Sequence, residues 1–405
     1  MTIRWITDRL GTAPYDQFQP LDGSILVDVR DMVDKVGNAT GLAYAKVAEG
    51  AQALQAGLTV IVCCDYGISR SNSIAAGVLA KANGIPFDQA MLEVIAKTGE
   101  RSMQTGVVRA VRDGLEATET APSSGRLLVT GATGVLGTAL REHLGDRCDW
   151  VVPTRSEIDL LSGSVELELR VRATRPKVIV HFANPRIYTV TKALGDSLVM
   201  LKNVIEVCVL HGLPLVFPSS WEVFSGYRSN GMIVSAETPR LPGETNGQAK
   251  FLAETLLEHH VRHSGLKLTL LRSCPIYGRG DRPKFIHHFI QKALRGDDIQ
   301  THRYLNGEPS LDLLHMDDAV RLLDAVLANP PGGVIQMGTG RGTSTTQVAE
   351  KIVAMTGSQS QIGHRDIAGY APNVVMDTSR ARELYGWEPE VGIDEGLERL
   401  VAANH

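Results

Sequence analysis

The stretch TVIVCCDYGISRSNS, residues 59–73, holds three side chains that could together transfer a phosphoryl group: Cys64, Arg70 and Ser71. An apolar, β-branched run ends at Cys63 and Cys64, and a helical pattern starts near Ser71. A loop wrapped ahead of a helix start turns its backbone N–H groups inward, which makes an anion site by geometry and dipole. A thiol placed there is drawn toward thiolate, the form that attacks phosphorus. The Arg70 guanidinium offers a planar fork for two phosphate oxygens. Ser71 can donate a hydrogen bond to the sulfur, and Gly67 permits the backbone angles of a tight cradle.

A second phosphate-binding pattern follows in LLVTGATGVLGTALREHL, where Gly131, Gly134 and Gly137 recur at every third position between an apolar strand and a helix. In that setting the first glycine makes the turn, the second admits a pyrophosphate and the third lets helix pack on strand.

The elements that must position these groups alternate along the chain. SILVDVR (24–30) and TVIVC read as strands, and residues 41–57, 70–83, 86–98 and 102–116 read as helices. The polar stretch EATETAPSSG (116–125) lacks apolar periodicity, which sets a linker at 119–125 between domains at 1–118 and 126–405. Beyond it, RLLVTG, DWVVPT, KVIVHFA, PLVFPSS and LTLLRS alternate as strands with helical stretches. Apolar strands alternating with helices predict an α/β fold with a parallel, doubly wound sheet.

A chain of 405 residues exceeds one ordinary domain. A net charge of −4 offers no broad basic surface, so nucleic acid is not an expected partner. No apolar run approaches the roughly 18 residues of a membrane-spanning helix, and the opening MTIRWITDRLGTAPYDQ lacks the apolar core of a signal peptide. The five cysteines are odd in number and scattered, which points to a reducing, cytoplasmic setting without a disulfide framework.

Residues 1–118 resemble the cysteine-dependent phosphatases of the dual-specificity branch, whose C-x5-R-S pattern is met by Cys64, Arg70 and Ser71, with Gly67 at the internal glycine. The resemblance implies a phosphocysteine mechanism on a small phosphorylated substrate. The family's usual His before the nucleophile is Cys63 here. Its general acid is an Asp upstream: Asp34 is favoured, with Asp31 next and Asp28 also in range.

Residues 126–405 resemble the extended short-chain dehydrogenase/reductases, the NAD-dependent epimerases, dehydratases and reductases of nucleotide sugars. HFAN (181–184), PSSWEVF (218–224), NGQAKFLAE (246–254), RSCPIYGRGD (272–281), LLHMDDAV (313–320) and MDTSRARELYGWEP (376–389) follow in family order. The resemblance implies a Rossmann domain with a small substrate lobe and a sugar-like substrate, and it admits a homodimer through this domain. It assigns the dinucleotide to Gly131, Thr133, Gly134, Val135, Gly137, Phe182, Ala183, Lys250 and Pro275. It assigns catalysis to Ser220, Lys250 and Glu222. Arg155 and Asp159 in TRSEIDL match the NADP-using sugar reductases, so NADP is the expected cofactor, with NAD the alternative. Two positions depart from the pattern: the tyrosine of Tyr-x-x-x-Lys is Asn246, and an arginine that grips the diphosphate is Leu311. Asn cannot titrate, so any proton relay would fall to Glu222 or to another tyrosine, Tyr188 or Tyr277. The expected whole is a bifunctional protein, or a phosphatase governed by a silent dinucleotide-sensing domain.

Overall fold

A computed structural model describes residues 3–17, 21–35, 37–116, 125–185, 191–278, 280 and 285–404. Apart from Gly125, the expected linker at 119–125 lies outside the described residues, as does Tyr188. The chain divides into two compact units. The first comprises Met1–Ser124, Pro153–Pro176 and Lys202–His211; the second comprises Gly125–Val152, Lys177–Leu201 and Gly212–His405. The first unit thus takes in two segments from beyond residue 126.

The first unit is built on a four-stranded sheet: β1 (Arg4–Thr7), β2 (Leu10–Pro14), β3 (Ser24–Asp28) and, after α1 (Thr40–Gln55), β4 (Thr59–Cys64). The order is β1-β2-β4-β3, with β4 parallel to both neighbours and β1 antiparallel to β2. The β1–β2 hairpin has no counterpart in the sequence reading, because its strands are short and include Gly11 and Pro14, poor strand formers. Three helices follow: α2 (Ser69–Asn83), α3 (Phe87–Thr98) and α4 (Thr105–Leu115). β4 is central and apolar on both faces. Its alternation turns Cys64 into the main core with Val60 and Val62, and Cys63 into a smaller cluster with Ala13 and Ile61.

The second unit contains a six-stranded parallel sheet. Its first half runs β5 (Leu127–Thr130), α5 (Val135–Leu144) and β6 (Trp150–Val151). The chain then passes through α6 (Val165–Thr174), which belongs to the first unit, before β7 (Val178–His181). Next come α7 (Thr191–His211), β8 (Leu215–Ser220), the short β9 (Met232–Val234), α8 (Thr245–Ser264) and β10 (Leu268–Ser273). Strand Gly333–Met337 completes the order Gly333–Met337, β10, β8, β7, β5, β6. The first strand, β5, is flanked by the second on one side and the third on the other. Such a reversal opens a crevice beyond the strands' carboxyl ends, the place where doubly wound sheets bind ligands. No described helix is long and apolar enough to cross a membrane.

A buried ion cluster closes the first unit. Arg112 on α4 holds Glu168 on α6 through two hydrogen bonds of 2.7 Å, and both side chains are buried. Burial alone would push the Glu168 carboxyl up, but its bonds to His211 and Arg112 hold it at about 2. A paired buried charge of this kind is costly to break, because removing one partner strands the other in a poor solvent.

Candidate active sites

In the first unit, β4 ends at Cys64 and α2 begins at Ser69, so four residues make the whole loop. The Cys64 sulfur accepts a hydrogen bond from the Gly67 N–H at 3.2 Å and lies 3.4 Å from the Ser71 hydroxyl. Gly67 has φ +66°, and a Cβ there would stand 2.5 Å from the Pro14 nitrogen, so only glycine closes this loop against β2. Arg70 is buried; its Nη1 donates to the Met32 carbonyl at 2.8 Å and its Nη2 to the Asp65 carboxylate. The Arg70 Nε is a buried donor without a partner. Ser69, Arg70, Ser71, Asn72 and Ser73 are all buried at the start of α2. Buried polar runs are informative because they carry a desolvation cost that packing alone would not select. The loop thus brings together Cys64, Arg70 and Ser71, as the spacing predicts.

The upstream carboxylates are arranged differently. Asp28 forms a double contact with Arg30, which lowers its pKa through that hydrogen bond. Asp31 pairs with Lys46 at 3.0 Å. Asp34 is exposed, on a turn held by Asn38, and makes no ion pair among the described residues. Cys63 faces away from Cys64 across the strand, and burial pushes its thiol up to about 12. It therefore offers no ready thiolate to its neighbour. The contact between Asp65 and Arg70 has no counterpart in the sequence reading; its one sequence signal is an acid directly after the reactive cysteine.

In the second unit, the loop after β5 has the shape a dinucleotide pyrophosphate needs. Gly131 has φ +71°, and a Cβ there would meet the Ala183 nitrogen at 2.4 Å, so the turn presses on the Phe182–Ala183 backbone. A Cβ at Gly137 would stand 2.6 Å from Ala132, so this glycine lets α5 close on the loop. At Gly134 a Cβ would meet only the Gly131 carbonyl, at 3.2 Å, which leaves its outer side open for a phosphate. Thr133 is exposed in the loop and Val135 opens α5, whose first N–H groups face an anion favourably. Pro275 follows β10, and its carbonyl accepts from the Leu314 N–H at 3.1 Å. Arg155 and Asp159 belong to the first unit; the Arg155 side chain is 79% exposed and lies 3.8 Å from Asp159.

A small open cleft is lined by Asn246 and Lys250 of α8, with His181, Asn184 and Phe217 among the other walls. Lys250 donates to the Pro218 carbonyl at 2.8 Å and its ammonium lies 4.8 Å from the Phe217 ring centroid. Burial pulls Lys250 down to about 8, against partial support from the charges of Glu254 and Glu222. Burial likewise holds His181 neutral, at about 3, and its Nδ1 is 2.7 Å from the Thr130 hydroxyl. Ser220 ends β8 and accepts from the Glu222 N–H at 3.2 Å. A Cβ at Gly247 would stand 2.4 Å from the Glu222 carbonyl, so the Ser220–Glu222 turn packs directly on the first turn of α8. Tyr277 does not line the cavity. Its hydroxyl is buried without a partner beside Gly396, and burial raises its pKa. Leu311 packs into an apolar cluster and holds no charge toward any ligand.

The family model described as the NAD dependent epimerase/dehydratase family matches residues 127–338, more than half of the chain. The chain belongs to this family. Among curated epimerase/dehydratase relatives, the uncharacterized UDP-glucose epimerase YtcB of Bacillus subtilis (strain 168) is 26% identical over 207 residues, 50% of this chain and 64% of that protein. The low-salt glycan biosynthesis protein Agl12 of Haloferax volcanii is 30% identical over 169 residues, 41% of this chain and 54% of that protein. The matched region thus spans only 54% to 64% of these relatives' length. The crystal structure of Thermus thermophilus UDP-glucose 4-epimerase in complex with NAD shares the fold, with a TM-score of 0.60 at 22% identity over 68% of this chain and 98% of that one. The family match begins after the Cys64 loop, whose chemistry is read from its own geometry.

Proposed function

We propose that this protein joins phosphate-monoester hydrolysis at Cys64 to NAD(P)-dependent chemistry on a sugar, sugar nucleotide or polyol in the second unit. The observation that supports the first half is the Cys64 sulfur held between the Gly67 N–H and the Ser71 hydroxyl, with Arg70 fixed by a carbonyl beside it. The sulfur attacks phosphorus, the ester oxygen leaves with a proton from Asp34, and a phosphocysteine forms. Water, giving up a proton to the Asp34 carboxylate, then attacks that phosphorus; the sulfur–phosphorus bond breaks, and the Ser71 hydroxyl donates a hydrogen bond to the departing thiolate. Asp34 suits the acid role because, among the described residues, it makes no ion pair that would tie its carboxyl down, unlike Asp28 and Asp31.

In the second unit, Gly131, Gly134 and Gly137 would hold the pyrophosphate, Phe182, Ala183 and Pro275 would border the nicotinamide side, and Lys250 would bind its ribose. The bound dinucleotide supplies hydride acceptance and return. The family name and the NAD-bound fold neighbour support NAD, while Arg155 is the feature that supports NADP. The substrate class follows from relatives whose names include a UDP-glucose epimerase and a glycan biosynthesis protein. A homodimer through this unit is part of the proposal.

A second reading is supported by Asn246. With no tyrosine on the described cavity wall, the second unit would bind its dinucleotide and govern the phosphatase without turnover of its own. Both readings are tested on the full chain. Wild type should hydrolyse an aryl phosphate and bind dinucleotide, and Cys64→Ser should lose all hydrolysis while keeping the binding. Wild-type hydrolysis rates in Cys64→Ser would overturn the hydrolase assignment. Dinucleotide-dependent turnover of a UDP-sugar separates the bifunctional reading from the silent one.

A further inference from the structure

The mouth of the Cys64 site has an unusual charge pattern for a place that must receive a dianion. Asp65, directly after the cysteine, has a side chain 52% exposed, and one of its oxygens is already on the Arg70 fork. Its Oδ1 makes no hydrogen bond among the described residues. The flanking segment reaches Arg70 through the Met32 carbonyl. Of the cations nearby, Arg30 pairs with Asp28, Lys46 of α1 with Asp31, and Arg4, which donates to the Gly67 carbonyl, with Glu100, while Lys35 is exposed without an ion pair among the described residues. Beside Asp65, Tyr66 is 73% exposed, an aromatic ring on a loop that is otherwise buried or polar.

A single phosphate entering this loop meets the start of α2 and the Arg70 fork, which it shares with Asp65. A second phosphate on the same substrate would meet the half-exposed Asp65 carboxylate at the mouth of the loop, and like charges at close range disfavour binding. A neutral polyhydroxylated alcohol meets the opposite situation. A carboxylate oxygen accepts hydrogen bonds from hydroxyl groups, and an exposed tyrosine ring offers a large, rigid face for the apolar side of a sugar. We propose that Asp65 and Tyr66 select the phosphate monoester of a neutral sugar or polyol at the Cys64 site and reject substrates carrying a second phosphate. The inference rests on the hydrolase reading of Cys64 and names the substrate class of that site.

The test compares kcat/KM of the full chain on p-nitrophenyl phosphate, fructose 6-phosphate and fructose 1,6-bisphosphate, in wild type, Asp65→Asn and Tyr66→Ala. Wild type should prefer the hexose monophosphate over the bisphosphate by about tenfold, the scale of one like-charge contact at a partly solvated surface. Asp65→Asn should remove most of that preference by raising the rate on the bisphosphate. Tyr66→Ala should lower kcat/KM on both hexose esters through KM. Wild-type turnover of p-nitrophenyl phosphate with equal or greater activity on the bisphosphate overturns the inference while leaving the hydrolase reading intact. An unchanged preference in Asp65→Asn also overturns it. Absence of turnover on all three esters overturns the hydrolase reading beneath it.

Discussion

The loops after β4 and after β5 use the same backbone device. Gly67 at φ +66° presses on Pro14 of the adjoining strand, and Gly131 at φ +71° presses on Ala183 after the adjoining strand. Each loop then enters a helix at once. They differ in what the loop carries. The first carries its polar side chains itself, so Cys64, Arg70 and Ser71 lie within a single loop and one helical turn, with the Cys64 sulfur against the Gly67 N–H and the Ser71 hydroxyl. The second carries no titratable side chain of its own; the cleft's polar groups come from β7 and the residue stretch after it, from α7 and from α8, far along the chain. A site built within one loop stands or falls as a piece. A site assembled from separate elements can change one residue and keep the rest, and on the proposed silent reading Asn246 beside Lys250 is such a change.

The sharpest way to break this comparison is to disturb each loop's glycine. Gly67→Ala should abolish aryl phosphate hydrolysis, because the new Cβ meets backbone rather than a side chain that could rotate away. The positive φ adds roughly 1 kcal/mol or more of strain. Activity retained at the wild-type level would show that the loop opens far more easily than its packing implies. Gly131→Ala should act in parallel on dinucleotide binding and leave hydrolysis unchanged.

The next effect concerns the missing proton carrier. Asn246→Tyr places a phenol four residues before Lys250, on the same helical face. If the second unit is silent for want of that group, dinucleotide-dependent turnover should rise by on the order of 10²–10⁴-fold. If wild type already turns over, Glu222→Gln should lower it by a comparable factor. Wild-type turnover that survives Glu222→Gln would assign the proton step to neither residue.

A smaller effect should appear in stability. Burial holds Lys250 at about 8, below its ordinary 10.5. Between those pH values the unfolded chain keeps a proton that the folded chain has shed, so folding stability rises with pH across the window, by at most about 3 kcal/mol. Below pH 8 the folded protein bears the cost of a poorly solvated ammonium. Lys250→Met should therefore raise the melting temperature of the second unit below pH 8 and flatten its slope between pH 8 and 10.5. Equal slopes in the two proteins would mean that water already solvates this ammonium.

The smallest effect is expected at Arg155. Its side chain is 79% exposed, so Arg155→Ala should weaken NADP relative to NAD by no more than about 1 kcal/mol. Calorimetric titration with both dinucleotides measures it, and equal losses for the two would remove Arg155 from cofactor choice.

Much of the architecture is legible from periodicity alone. β4, α2 and β5 can be read almost to the residue, and α5 as the helix that the glycine triplet opens, because these runs adjoin glycine-bearing loops. The grouping of Cys64, Arg70 and Ser71 is legible for the same reason: they lie within one loop and the helical turn after it, so spacing along the chain is nearly spacing in space. The membership of α6 and of Lys202–His211 in the first unit is not legible, because it depends on Arg112 and Glu168 meeting across long sequence separation. Nor is the role of His181 as a neutral, buried wall of the Lys250 cavity, since the same residue type can equally end a strand in solvent. The burial of Tyr277 away from that cavity is a third such case. Chain order alone therefore specifies the two glycine-bearing strand–loop–helix turns, whose geometry needs particular residues at short spacings. Which distant side chains share a solvent-poor space with them is set only on folding, because burial and charge pairing depend on packing that chain order does not encode.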